Sequence, residues 1–186
     1  MSSFVMLPPF VKRVDVRTTD KINDMYHQLF NTIVQDGVKF PLPKDLKILA
    51  INDGFIHTRE KFRTLQTLIN EFANDRIFFF FPYASFNDVF TANFSFEVMN
   101  WIESEVFENP VIFFIPDTQF YLVIDEQLSI TVIAFELRMK NIITKKLGGA
   151  KSMRKEFEKS LQQNYVGSGE VEKIWLEAFA LKYCDW

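Results

Sequence analysis

The side chains able to do nucleophilic, acid–base or metal chemistry are few and scattered. The 186 residues hold two histidines and one cysteine. That set cannot build a standard zinc site, and no Cys-x-x-Cys or His-x-x-x-His spacing occurs. His57 follows Asn52-Asp53-Gly54 and precedes Thr58 and Arg59, where a lone loop histidine reads first as a surface residue, with an imidazole in a cleft near residues 52–59 as the alternative. His27 lies amid helix residues and suggests less. Cys184, inside an apolar helix end, reads as an inert thiol rather than a nucleophile. Leu147-Gly148-Gly149-Ala150-Lys151-Ser152 lacks the glycines that a phosphate-binding loop needs, and Gly167-Ser168-Gly169 is too tight for a nucleophile elbow. The acidic pairs Glu103/Glu105 and Asp125/Glu126 point apart on a helix or strand, so neither converges on one metal or proton. No enzyme motif emerges, and no cofactor is expected.

The elements that must position these residues follow from hydrophobic spacing. Ile22, Met25, Tyr26, Leu29, Phe30 and Ile33 predict a helix over Asp20–Asp36, capped by Thr19 or Asp20 and followed by Gly37, with Pro41 and Pro43 in the loop beyond. Leu46–Ile51 predicts a strand and Thr58–Asn74 a second helix. The uninterrupted apolar run Ile77–Phe81 predicts a strand buried on both faces. Ser95–Glu108 predicts a third helix. Val111–Ile115, Phe120–Ile124 and Ser129–Phe135 predict an antiparallel meander with short turns. Ala150–Asn164 and Glu170–Tyr183 predict a closing helical pair, joined through Gly167-Ser168-Gly169. The expected fold is α+β: one domain over 1–186, with an antiparallel or mixed sheet of about five strands, helices packed against it, and a C-terminal helical pair at about 150–183.

Composition sets the class. Hydrophobic residues make up 48% and charged residues 24%, with 6 Gly and 7 Pro, which excludes disordered and collagen-like chains. A single cysteine suits a reducing, cytoplasmic setting. The N-terminus lacks the features of a signal peptide. The longest apolar runs fall far short of the roughly 18 residues that a spanning helix needs.

Charge is unevenly distributed. Between Arg76 and Arg138 there is no lysine or arginine, while nine acids occur: Asp88, Glu97, Glu103, Glu105, Glu108, Asp117, Asp125, Glu126 and Glu136. The flanking segments are net basic, so an overall charge of −3 conceals a polarised chain. Clustered carboxylates steer basic partners inward and repel phosphates, which argues against nucleic acid at this segment. Two arrangements remain open: one acidic face, or acids turned toward the basic C-terminal helices. Phenylalanine is also abundant, at 22 residues. Most of the rings must fill the core. Phe86, Phe90, Phe94 and Phe96 lie in a stretch without clear periodicity, where an exposed apolar surface is the alternative to core packing.

The segment Val111–Phe135 resembles a hairpin found in small bacterial immunity proteins, the antidotes of contact-dependent and polymorphic toxin systems. The shared features are the aromatic strand Phe120–Ile124, a turn opened by Asp125, and a second apolar strand. The resemblance covers about 25 residues. It implies a non-enzymatic cytoplasmic protein that binds one toxin domain, in many systems a basic nuclease. The expectation is therefore a protein-binding module that meets a basic partner through Glu97, Glu103, Glu105, Glu108, Asp117, Asp125 and Glu126, with Phe86, Phe90 and Trp101 as apolar anchors. Neither nucleic acid nor membrane is an expected partner. The alternatives are an enzyme or small-molecule-binding protein with its cleft near residues 52–59, and a structural subunit of a homo-oligomer.

Overall fold

The computed structural model describes residues 6–35, 38–52, 58–73, 76–84, 87–106, 110–115, 118–125, 128, 130–164 and 170–186. Along the chain run β1 (Val11–Arg13), α1 (Val16–Leu29), β2 (Phe30–Gln35), β3 (Val38–Pro43), β4 (Lys47–Asn52), α2 (Arg59–Ala73), β5 (Arg76–Phe80), β6 (Val89–Asn93) and α3 (Phe96–Trp101). A π turn, Ile102–Val106, extends α3. Then come β7 (Val111–Phe114), β8 (Phe120–Asp125), β9 (Ile130–Phe135), a 3-10 turn (Leu137–Met139), α4 (Lys140–Lys146), α5 (Ala150–Asn164) and α6 (Glu170–Tyr183). The fold is α+β. Seven strands form one sheet in the order β1-β6-β5-β7-β8-β9-β4, with every pairing antiparallel, and β2 and β3 form a separate hairpin.

Antiparallel sheets commonly leave one face to water, and their strands then alternate apolar and polar residues. Here both faces are covered, so every residue of β7, β8 and β9 is buried. On the front face, Phe120, Leu122 and Ile124 join Phe79, Phe113, Ile133 and Leu49 beneath α2, α3 and α4. Tyr121 and Val123 face the back, where Ile22 and Tyr26 of α1, Phe40 and Leu42 of the hairpin, and Trp175, Leu176 and Phe179 of α6 cover them. α5 closes the β4 edge. Its Met153 packs into the front core, while its Phe157 and Leu161 pack into the back. The expected C-terminal pair is therefore a structural cover of the sheet.

Several expectations need correction. The sheet has seven strands rather than about five. The helix expected over Asp20–Asp36 starts earlier and ends at Leu29. Asp15 caps it, its Oδ1 accepting from the Thr18 N–H at 3.1 Å. After Phe30 the β-branched run Thr32-Ile33-Val34 pairs with β3 instead of continuing the helix. Pro41 and Pro43 lie in β3 itself, which a two-stranded hairpin tolerates because each strand keeps one unpaired edge. The expected helix Ser95–Glu108 is regular only to Trp101 before its ladder widens.

One buried polar atom carries a prediction. Thr131 is fully buried between β4 and β8, and its Oγ1 has no hydrogen-bond partner among the described residues. An unpaired buried hydroxyl costs on the order of 1–3 kcal/mol. Thr131→Val is expected to raise stability by about 1 kcal/mol, seen as a higher urea midpoint with unchanged slope.

Candidate functional site

The ten residues expected at a partner surface separate into three groups. Phe86, Glu108, Asp117 and Glu126 lie outside the described residues, as does His57 with most of the 52–59 cleft. Three others are interior. Phe90 is 1% exposed, Trp101 7% and Asp125 5%. Phe90 lies in β6, paired with Phe79, and its ring stacks on that of Phe79 at 5.4 Å. Trp101 sets its edge against both rings, at 6.4 Å and 6.3 Å. Neither ring can anchor a partner from that position. Phe94 is buried as well, and Phe96 packs half-buried against the core. Asp125 ends β8 and accepts from the Leu128 N–H at 3.0 Å, so its carboxylate organises the turn into β9.

Glu97, Glu103 and Glu105 remain, all on α3 and its π turn. Ser95 caps the helix by accepting from the Val98 N–H, and Val98, Met99 and Trp101 seat the inner side in the front core. Ile102 and Val106 continue that seat through the π turn. Glu97, Asn100 and Ser104 fall outward at three- and four-residue spacing, with Glu103 half-buried beside them. Hydrogen bonds from its own backbone and from Ser95 hold the Glu97 carboxyl below its usual range, with the Arg59 charge adding to the effect. It is therefore ionised at neutral pH.

Two further described acids of the window are paired within the molecule. Asp88 pairs with Arg13 at 3.2 Å and Glu136 pairs with Arg138. The acidic window is thus not one uniform face. Among the described residues its outward part is an α3 ridge, and charge counting alone could not separate that ridge from acids used internally.

No family model, no curated protein and no solved structure matches the chain. The assignment of any role rests on this geometry. Two further features bear on it. A tyrosine pair lies behind the sheet, where burial lifts the Tyr26 phenol far above its usual range, helped by the Tyr83 charge and hydrogen bond. It stays protonated and serves as a structural donor. Among the described residues, no group of three or more His, Cys, Asp and Glu could hold a metal ion, and no helix is long and apolar enough to cross a membrane.

A sizeable cleft lies at the C-terminal end of the described chain, away from residues 52–59. It opens between α5, α6 and residues 184–186, with a volume of about 640 Å³. Asp185 fixes this end. Its N–H donates to the Ile48 carbonyl at 2.6 Å, its Oδ2 accepts from the Ile48 N–H at 3.0 Å, and its Oδ1 meets the Lys47 Nζ at 2.9 Å. Beside it, burial pushes the Cys184 thiol up to about 12, and a hydrogen bond from the Ala50 backbone offsets only part of that rise. The thiol is not a nucleophile at neutral pH.

Proposed function

We propose that the chain is a non-enzymatic binding module that meets a basic protein partner on the outer side of α3 and its π turn. One observation carries the reading. The π turn falls on Ile102-Glu103-Ser104-Glu105-Val106, a five-residue segment with two acids in its sequence. Such turns are rare and recur at functional sites, since the widened ladder re-aims the side chains it carries. The ridge is also rigidly backed, because its inner side is core, so a partner would not have to pay for ordering it. The toxin-antidote setting implied by the hairpin resemblance is one home for such a module. The strands behind that resemblance, β7 to β9, are buried throughout, so they contribute scaffold rather than contact.

The test has two stages. Tagged protein is used to capture partners from the source cell's lysate at low salt and again at about 0.5 M salt, where charge attraction is screened within a few ångströms. A stoichiometric basic partner, largely lost at high salt, is the expected result. The double variant Glu97→Lys/Glu103→Lys is then expected to slow association with that partner by about tenfold or more at low salt, while still unfolding in one cooperative transition above the assay temperature. An unchanged on-rate would remove the ridge as the contact surface.

A further inference from the structure

We propose that the cleft between α5, α6 and residues 184–186 binds a small amphipathic anion, a carboxylate carried on an aliphatic or aryl body. The cleft lies behind the sheet and at the β4 edge, away from the α3 ridge. This is a second site, independent of the one proposed above.

The volume of about 640 Å³ falls within the roughly 300–1,000 Å³ typical of small-molecule sites. The floor is apolar: Phe157 and Leu161 from α5, with the Trp186 ring 5.8 Å from that of Phe157. Leu181 forms the lip and is 87% exposed. A leucine held this open at the mouth of an aromatic-floored cleft offers surface that an apolar body would cover.

The charges decide the sign of the ligand. Three acids and two cations line the cleft, and each acid already has a cation. Glu158 accepts from Arg154 Nε at 2.8 Å, Glu177 lies 4.0 Å from Lys173, and Asp185 is held by Lys47 and the Ile48 N–H. Lys140 forms no salt bridge with a described residue, although its charge also acts on Asp185. Arg154 uses only its Nε toward one. The charge left for a ligand is therefore positive, and it stands over an apolar floor. That combination selects an anion with a greasy body over a bare phosphate, which would leave Phe157, Leu161 and Leu181 uncovered, and over a neutral lipid, which would leave the ammonium unpaired.

Decanoate is the probe. It is titrated into the intact chain at low salt, by calorimetry and by the fluorescence of Trp186, with Trp186→Phe identifying the signal. Trp101 and Trp175 are buried away from the cleft. Saturable one-site binding is expected, weakened by about tenfold in Lys140→Glu, with the uncharged alcohol decanol binding weaker by a similar factor. Lys140→Gln, which removes the charge without reversing it, is expected to fall between. Melting curves recorded for both variants separate lost binding from lost folding. Absence of saturable binding overturns the proposal, as does equal affinity for decanol and decanoate, or an affinity unaffected by both Lys140 variants.

Discussion

Phe79→Ala is expected to destabilise the chain by about 3–5 kcal/mol. Phe79 is fully buried in β5, in register with Phe90 on one side and Phe113 on the other. Its ring centroid lies 5.4 Å and 5.3 Å from theirs, and Phe81 and Trp101 complete the surround. Rigid rings on three strands cannot collapse into the space a missing phenyl leaves, so the cavity cost adds to the lost burial. Domains are stable by only about 5–15 kcal/mol in all, which places the variant near the edge of folding. Urea unfolding measures it. Phe79→Leu, which keeps much of the volume, serves as the milder control. A loss below about 1.5 kcal/mol for the alanine variant would mean the aromatic cluster is not close-packed in solution. The same cluster explains why Phe90 and Trp101 are poor positions for testing partner binding, since truncating either disturbs the seat of α3.

Asp185→Ala is expected to cost about 2–3 kcal/mol near neutral pH. The substitution keeps the 2.6 Å backbone bond to Ile48 but removes the acceptor of the Ile48 N–H and the partner of Lys47. Ile48 belongs to β4, the edge strand of the seven-stranded sheet, and an unpaired edge donor there is also an invitation to intermolecular pairing. The pH dependence has a definite sign. Burial alone would raise the Asp185 carboxyl, but the hydrogen bonds from Lys47 and Ile48, with the Lys47 and Lys140 charges, outweigh it and leave the group below its usual value. A depressed folded-state value means the contribution is present above the unfolded carboxylate pKa of about 3.9 and is lost as pH falls through the folded value. The stability gap between wild type and Asp185→Ala is therefore expected to be full near pH 7 and to narrow under acid. Asp185→Asn, which keeps an acceptor without the charge, is expected to retain part of the gap. A gap that stays constant from neutrality down to about pH 2 would show that the carboxylate charge contributes nothing.

Much of this architecture is legible in the residues. The meander β7–β9 stands out because three apolar runs are separated by turn residues, and α2, α5 and α6 because their apolar positions recur at helical spacing. What escapes is instructive. β6 is a short strand with Val89, Phe90, Thr91 and Ala92 all buried, so it shows no period-two alternation and resembles irregular sequence. The boundary between α1 and β2 is invisible to periodicity because Ile33 continues the helical stripe, and only pairing with β3 decides against it. The site divides in the same way. Glu97, Glu103 and Glu105 are found by charge alone, whereas Phe90 and Trp101 are indistinguishable from surface aromatics until the sheet is built. The cleft needs residues from α4, α5, α6 and the segment beyond, brought together only by the way α5 wraps the β4 edge. No local pattern signals it.

That placement of β4 also orders events in time. β5 through β9 pair mostly with neighbours close in the chain, whereas β4 must wait for β9, which follows it only after the rest of the sheet has been laid down. Short loops close early and long ones late, because closure entropy must be overcome before distant contacts reward it. The aromatic cluster on β5, β6 and β7 belongs to the early set, and the β4 edge with its Asp185 clasp to the late one. The two losses argued above then separate by rate: Phe79→Ala acts mainly by slowing folding, and Asp185→Ala mainly by hastening unfolding.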